Sequence, residues 1–290
     1  MKSLAEKSTP WIGIAYSDYV NDFAIKNDAL IDYVEVPYEL LKHDPAVFKI
    51  SAVKPIILHC ATLSVAGSVR TTDEDIENIR FWAKKTNTPW IGEHLSFIST
   101  ARAHLNEKYA DEYAPGEPYN IGYTMPPPLN DEALETIKGN LNTIKTQFKT
   151  PVILENPPIY FTIPGSEMDQ TSFIASLTKE SEVGLLLDLA HYYITSKNEG
   201  FDAMEHLAYF PLDRVVEIHI SGVDEVANTF WDHHASKAPE MIYELLKKVL
   251  QSARPKAITL EYNWNSKFPE NFLIEEIQQV QKIIRESYGV

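Results

Sequence analysis

Nine side chains able to bind a metal ion recur along the chain, nearly one per segment, at or just past the ends of successive apolar runs. They are His59, His94, Glu155, Asp188, His191, His219, Asp232, His234 and Glu261. Imidazole and carboxylate donors suit Fe, Mn or Zn, and one ion takes only about four to six donors, some of them water or substrate. Nine are too many for a single ion. Shared between two or three ions, with positions left for water, dioxygen or substrate, they imply a multinuclear metalloenzyme.

The local contexts differ in weight. His59 closes Ile57-Leu58-His59 and His94 closes Gly92-Glu93-His94. Taken singly, a histidine after an apolar strand is more often a structural residue bonded to a carbonyl. Neighbours on a strand face opposite ways, so His59 facing inward turns Cys60 outward into packing. Glu155 and Glu261 directly follow buried-looking runs, where an unpaired carboxylate is costly and calls for a cation or a proton. Asp188 with His191, and Asp232 with His234, are the most specific pairs. The first is a strand-end carboxylate with a histidine one turn onward, and the second is an i, i+2 pair on an extended segment, which turns His233 away. The two-residue period also puts Glu217 on the face of His219, deeper, as an orienting partner, and Glu35 and Asn156 sit at the depth of an outer hydrogen-bonding shell. The set outweighs the separate structural readings: five of nine histidines occupy strand ends or the loop just past one, whereas His43, His104, His206 and His233 do not.

Such scattered donors need elements that bring them together. Eight apolar runs of strand length span the chain: Trp11–Tyr16, Tyr33–Pro37, Pro55–Cys60, Trp90–Phe97, Pro151–Asn156, Gly184–Asp188, Val215–Ile220 and Ala257–Tyr262. Several are apolar at consecutive positions, as suits parallel strands buried on both faces. Helical spacing lies between them, with helices expected over Thr72–Thr86 and over Asn130–Phe148, the latter capped by Asn130. Eightfold alternation predicts a single-domain α/β fold over residues 1–290, a TIM (β/α)8 barrel. An open doubly wound sheet also alternates, but it gathers its site at one crevice. Here the donors come from runs three to eight, whose ends only a closed barrel brings together. The connection 98–129, with Tyr109, Tyr113, Tyr119, Tyr123 and Pro126-Pro127-Pro128, far exceeds the usual loop of about 4–6 residues. It is expected to lie over the barrel mouth as a lid, a substrate groove or a surface elaboration.

Composition narrows the partners. The 290 residues carry 26 Lys plus Arg against 41 Asp plus Glu, a formal charge of −15. The balance stays strongly negative even with the four donor carboxylates neutralised, which argues against a nucleic-acid partner. The sole cysteine, Cys60, allows neither an intrachain disulfide nor a thiolate metal site. No signal-peptide stretch opens the chain and no apolar run reaches the roughly 18 residues of a membrane span. A cytoplasmic protein without membrane contact is expected.

The segments Leu58-His59 with Leu63-Ser64-Val65, Glu93-His94-Leu95-Ser96-Phe97, Pro127-Pro128-Leu129, Leu154-Glu155-Asn156-Pro157, Leu186-Leu187-Asp188, Glu217-Ile218-His219-Ile220-Ser221-Gly222 and Asp232-His233-His234 resemble the multinuclear non-heme iron-dependent oxidative enzymes. That family includes the iron oxidase of methanobactin biosynthesis. The resemblance covers nearly the whole chain and implies a TIM barrel holding two or three irons in mixed Fe(II)/Fe(III) states, with O2 as co-substrate. It also implies a ribosomally made precursor peptide as substrate, often oxidised at cysteine, and a small partner protein that recognises the leader peptide. Under it the nine residues are the iron ligands. Many relatives carry asparagine at the position of His191, so histidine here favours three ions. The opening Gly13-Ile14-Ala15-Tyr16 lacks the arginine and histidine that often follow this strand in relatives, and the segment after His234 diverges, which puts substrate choice in question more than the metal core. The order of ligands also resembles endonuclease IV and xylose isomerase barrels, which leaves a divalent-metal (zinc) hydrolase or a sugar isomerase or epimerase as the alternative. The acidic charge counts against a DNA hydrolase, and no strand-end lysine appears for an isomerase.

Overall fold

A computed structural model describes residues 4–101, 118–263 and 270–290. Eight of its strands form the barrel: β1 (Trp11–Ala15), β2 (Tyr33–Pro37), β3 (Ile56–Cys60), β4 (Ile91–His94), β7 (Val152–Glu155), β8 (Gly184–Asp188), β9 (Val215–Ile220) and β12 (Ala257–Leu260). They pair in parallel in chain order, and β1 joins β12 to close the ring. Every predicted run supplies one barrel strand. The run Trp90–Phe97 is not a single strand, however: after His94 the chain turns, with the Ser96 N–H donating to the His94 carbonyl at 2.8 Å.

The consecutive apolar residues serve two cores, because successive side chains point to opposite faces. Val34, Leu58, Leu154, Leu187 and Ile218 face the helices. Tyr33, Ile57, Trp90, Ile153, Leu186 and Ala257 fill the barrel interior. Cys60 is buried on the helix side, as its alternation with His59 requires. Two glycines clear the interior: a Cβ at Gly13 would fall 2.3 Å from the Tyr33 ring, and one at Gly92 2.8 Å from His59 Nδ1.

Helices α1 (Val20–Lys26), α2 (Tyr38–His43), α3 (Asp73–Thr86), α4 (Asp131–Gln147), α5 (Gln170–Ser181), α6 (Leu189–Glu199), α7 (Ala203–His206), α8 (Glu240–Ser252) and α9 (Glu270–Tyr288) alternate with the strands. The two helices expected from sequence appear within a residue of their predicted ends. Thr72 caps α3 through the Asp75 N–H, and Asn130 caps α4 through the Ala133 N–H at 2.9 Å. No helix among the described residues is long and apolar enough to cross a membrane.

Part of the connection 98–129 is regular. β5 (Phe97–Ala101) and β6 (Pro118–Met125) pair as an antiparallel ribbon, as their β-branched and aromatic content favours. Residues 102–117, with Tyr109 and Tyr113, lie outside the described residues. A second hairpin that the sequence did not announce, β10 (Val223–Val226) and β11 (Thr229–Asp232), follows β9. Its two-residue turn places Ala227 and Asn228 at φ 53° and 62°, the left-handed pair that tight hairpins require.

Candidate metal centre

The parallel register sets the donors side by side at the carboxyl ends of the strands, where barrel sites are built. His94 pairs with Glu155 and Asp188 with His219, while Glu261 directly follows β12. Asp232 ends β11 and His234 follows two residues on, so the hairpin returns two further donors to the mouth. All nine predicted residues, with Glu35, fall into four groups, the donor atoms of each lying within 4.8 Å of one another: Glu35, His59 and His219; His59, His94 and Glu155; Glu155, Asp188, His219 and Glu261; and, sharing no member with these three, His191, Asp232 and His234.

Glu155 stands at the middle. Its Oε2 lies 3.2 Å from His59 Nε2 and 3.1 Å from His94 Nδ1, and its Oε1 lies 3.3 Å from His191 Nδ1 and 3.8 Å from His219 Nδ1. Neither oxygen has a hydrogen bond of ordinary geometry, although both are buried; Asp188 Oδ2 is in the same condition. The other Asp188 oxygen caps α6, accepting from the His191 N–H at 2.6 Å. That bond fixes His191 one turn beyond the strand end. His234 Nε2 lies 2.8 Å from Asp232 Oδ2, whereas His233 turns outward to Asp224, as the i, i+2 reading requires.

The charges are balanced by imidazoles. Burial would push Glu155 up, but His94, His191 and His59 hold it well below the usual carboxylate range. Burial likewise depresses His59, yet Glu35 and Glu155 outweigh it and raise the ring to about 10. His234 is lowered by burial and raised more strongly by Glu261 and Asp232, to about 9. Asp188, pushed up by burial against the pull of His191, reaches about 6. Carboxylates this buried need positive charge beside them, which protonated imidazoles or metal ions can both provide.

The donor set fits ions of the Fe, Mn or Zn class. Bonds of about 2.0–2.2 Å to one ion space neighbouring donors roughly 3.0–3.5 Å apart. His59 Nε2 lies 3.0 Å from His94 Nε2, and the contacts around Glu155 fall largely in that interval. The buried carboxylate oxygens without hydrogen bonds point the same way.

Supporting residues are placed more finely than the sequence allowed. Asn156 exchanges two bonds with the Asp188 backbone, at 3.0 and 2.9 Å, and its carbonyl lies 3.0 Å from His191 Nδ1. Glu35 is more than an outer partner: its Oε2 is 3.0 Å from His219 Nε2 and it shares a donor group with His59. Glu217 is deeper, as expected, but it orients the floor instead of a ligand. It accepts from Trp90 Nε1 at 2.6 Å, Thr259 Oγ1 at 2.8 Å and the Tyr33 hydroxyl at 3.1 Å. Sequence reading missed Tyr33, Trp90 and Thr259. The two-residue period was the available signal, since Tyr33 precedes Glu35, and Thr259 precedes Glu261, by two positions.

A family model described as "RiPP precursor modification enzyme MbnB/TglH/ChrH" matches residues 11–285. A UPF0276 protein of Caulobacter vibrioides (strain NA1000 / CB15N) is 26% identical over 237 residues, covering 80% of this chain and 79% of its own length. A UPF0276 protein of Shewanella sediminis is 24% identical over 285 residues, covering 96% and 95%. Among solved structures, the 3-keto-D-glucoside 4-epimerase YcjR of E. coli is similar with a TM-score of 0.58 at 13% identity, covering 95% of this chain and 99% of its own. Endonuclease IV of Thermus thermophilus gives 0.55 at 14% identity, covering 94% and 100%. At such identities the structural likeness speaks for the barrel alone.

Proposed function

This chain belongs to the MbnB/TglH/ChrH family of RiPP precursor modification enzymes, and from that membership we propose that it is a multinuclear non-heme iron enzyme that uses O2 to oxidise a ribosomally made precursor peptide at cysteine. The observation that carries the metal part is that four donor groups gather at the barrel mouth, two of them sharing Glu155, whose two buried oxygens lack hydrogen bonds. His59, His94 and Glu155 would hold one ion, Glu155, Asp188, His219 and Glu261 a second, and His191, Asp232 and His234 a third. Such ions, when bound, supply Lewis acidity and one-electron chemistry with dioxygen.

The chain's own residues position and exclude. Asp188 and His219 are fully buried, which keeps water from the deep side, while Asp232, His234 and Glu261 keep some exposure toward the rim where a peptide arrives. A cleft of about 460 Å³ lies between the β5–β6 ribbon and the segment after β3, lined in part by Thr62, Arg70, Ser99, Asn120 and Thr124. None of the nine donors lines it, but Ala61 and Thr62 on its wall follow His59 by two and three positions; holding an extended peptide there is the role we assign to the described part of the 98–129 connection. A small partner protein that reads the leader peptide completes the reading.

The test is to load the chain anaerobically with Fe(II) and expose it to air with a cysteine-containing ribosomal precursor peptide. O2 consumption with a change in peptide mass is expected. Absence of both, or a chain purified with zinc and active only as a hydrolase or isomerase, would overturn the proposal.

A further inference from the structure

His191 stands on α6, whereas Asp232 and His234 arrive on the β10–β11 hairpin, which shares no ladder with the barrel. Two separate elements must therefore be held at a fixed separation for the three donors to meet. Asn198 lies on α6 seven residues after His191, two turns on and on the same face. Its Oδ1 accepts the Phe230 N–H at 2.8 Å, and its Nδ2 donates to the Phe230 carbonyl at 3.0 Å and to the Ile159 carbonyl at 3.1 Å. One side-chain amide thus closes both backbone groups of a residue two positions before Asp232, as a neighbouring strand would, and binds in the segment that follows Glu155 and Asn156. That segment is fixed again on each side: the Ile159 N–H donates to Thr195 Oγ1 of α6 at 3.0 Å, and the Tyr160 ring stacks on Trp231 with centroids 4.5 Å apart. The task needs a donor and an acceptor on one short arm, which asparagine has and aspartate lacks.

We propose that Asn198 is the positioning residue of the His191, Asp232 and His234 group, holding the hairpin against α6 so that these donors converge on one ion. The inference rests on the metal reading of those three residues. Asn198→Asp keeps the acceptor for the Phe230 N–H and loses both donated bonds; Asn198→Ala removes all three and is read in the same way if the added charge impairs folding.

The experiment measures iron retained by the full chain after anaerobic Fe(II) loading and desalting, with circular dichroism to check the fold. Wild type, Asn198→Asp, His191→Ala and the double variant are compared. Asn198→Asp is expected to lose the same single metal equivalent as His191→Ala, and the double variant to lose no more, because both changes act on one position. Wild-type iron content in Asn198→Asp, or loss beyond that of His191→Ala, overturns the inference. Full iron content in His191→Ala, or none in wild type, overturns the metal reading beneath it.

Discussion

Gly92→Ala adds one methyl group to the barrel interior without replacing any donor residue. The new Cβ would lie 2.8 Å from His59 Nδ1 and 3.1 Å from Leu186 Cδ1, whereas comfortable contacts begin near about 3.5 Å. The His59 ring must therefore retreat by roughly 0.7 Å. Its Nε2 now lies 3.0 Å from His94 Nε2 and 3.2 Å from Glu155 Oε2, and metal–donor distances tolerate only about 0.2 Å. A displaced but intact ligand resembles the loss of an orienting partner, which costs about 10–100-fold in metal affinity, or about 1.4–2.7 kcal/mol. Overpacking costs a further ~1–3 kcal/mol of fold stability. Chelator competition on the metal-loaded chain measures the first quantity and urea unfolding of the metal-free chain the second. A chelator midpoint equal to wild type would show that His59 takes no part in holding metal, or that the ring moves freely, and either result refutes the reasoning.

Two further outcomes follow from the scaffold. Gly139 lies inside α4 and a Cβ there meets nothing within 4 Å, so Gly139→Ala should stabilise the chain by about 0.8–1 kcal/mol through helix propensity; a lower urea midpoint would contradict this. Burial raises the Asp75 carboxyl, but bonds from Lys42 and Thr72 outweigh it and leave the group below its usual value. The ionised form is thus favoured by folding, so its contribution is complete above the unfolded value of about 3.9 and is lost as pH falls below it. Urea midpoints measured from neutral pH down to acid should fall less steeply for Asp75→Asn than for wild type.

The eight strands were legible because a parallel barrel strand, buried on both faces, writes an unbroken apolar run, and six of the nine donor residues because they stand at or next to the carboxyl ends of such runs; His191, Asp232 and His234 were legible from their close spacing to a neighbouring donor. His233 and Cys60 were sorted from their neighbours by the two-residue period alone. The same signal faded wherever partners lie far apart in the chain. Glu35 reads as an outer-shell carboxylate with no named partner until closure of the barrel sets it 3.0 Å from His219, 184 residues away. The ribbon β5–β6 and the hairpin β10–β11 were hidden because short, half-exposed strands lack a distinctive run.

The sequence by itself determined the alternation that closes the barrel and the imidazole and carboxylate residues gathered at its mouth, since both are local facts of residue type and period. Only the tertiary structure decided which donors meet in which group, that Glu155 joins two of the groups, that Gly13 and Gly92 clear space for Tyr33 and His59, and that Asn198 ties the hairpin to α6. These are distances between side chains on different strands and helices, fixed by barrel register and packing, and no spacing along one chain encodes them.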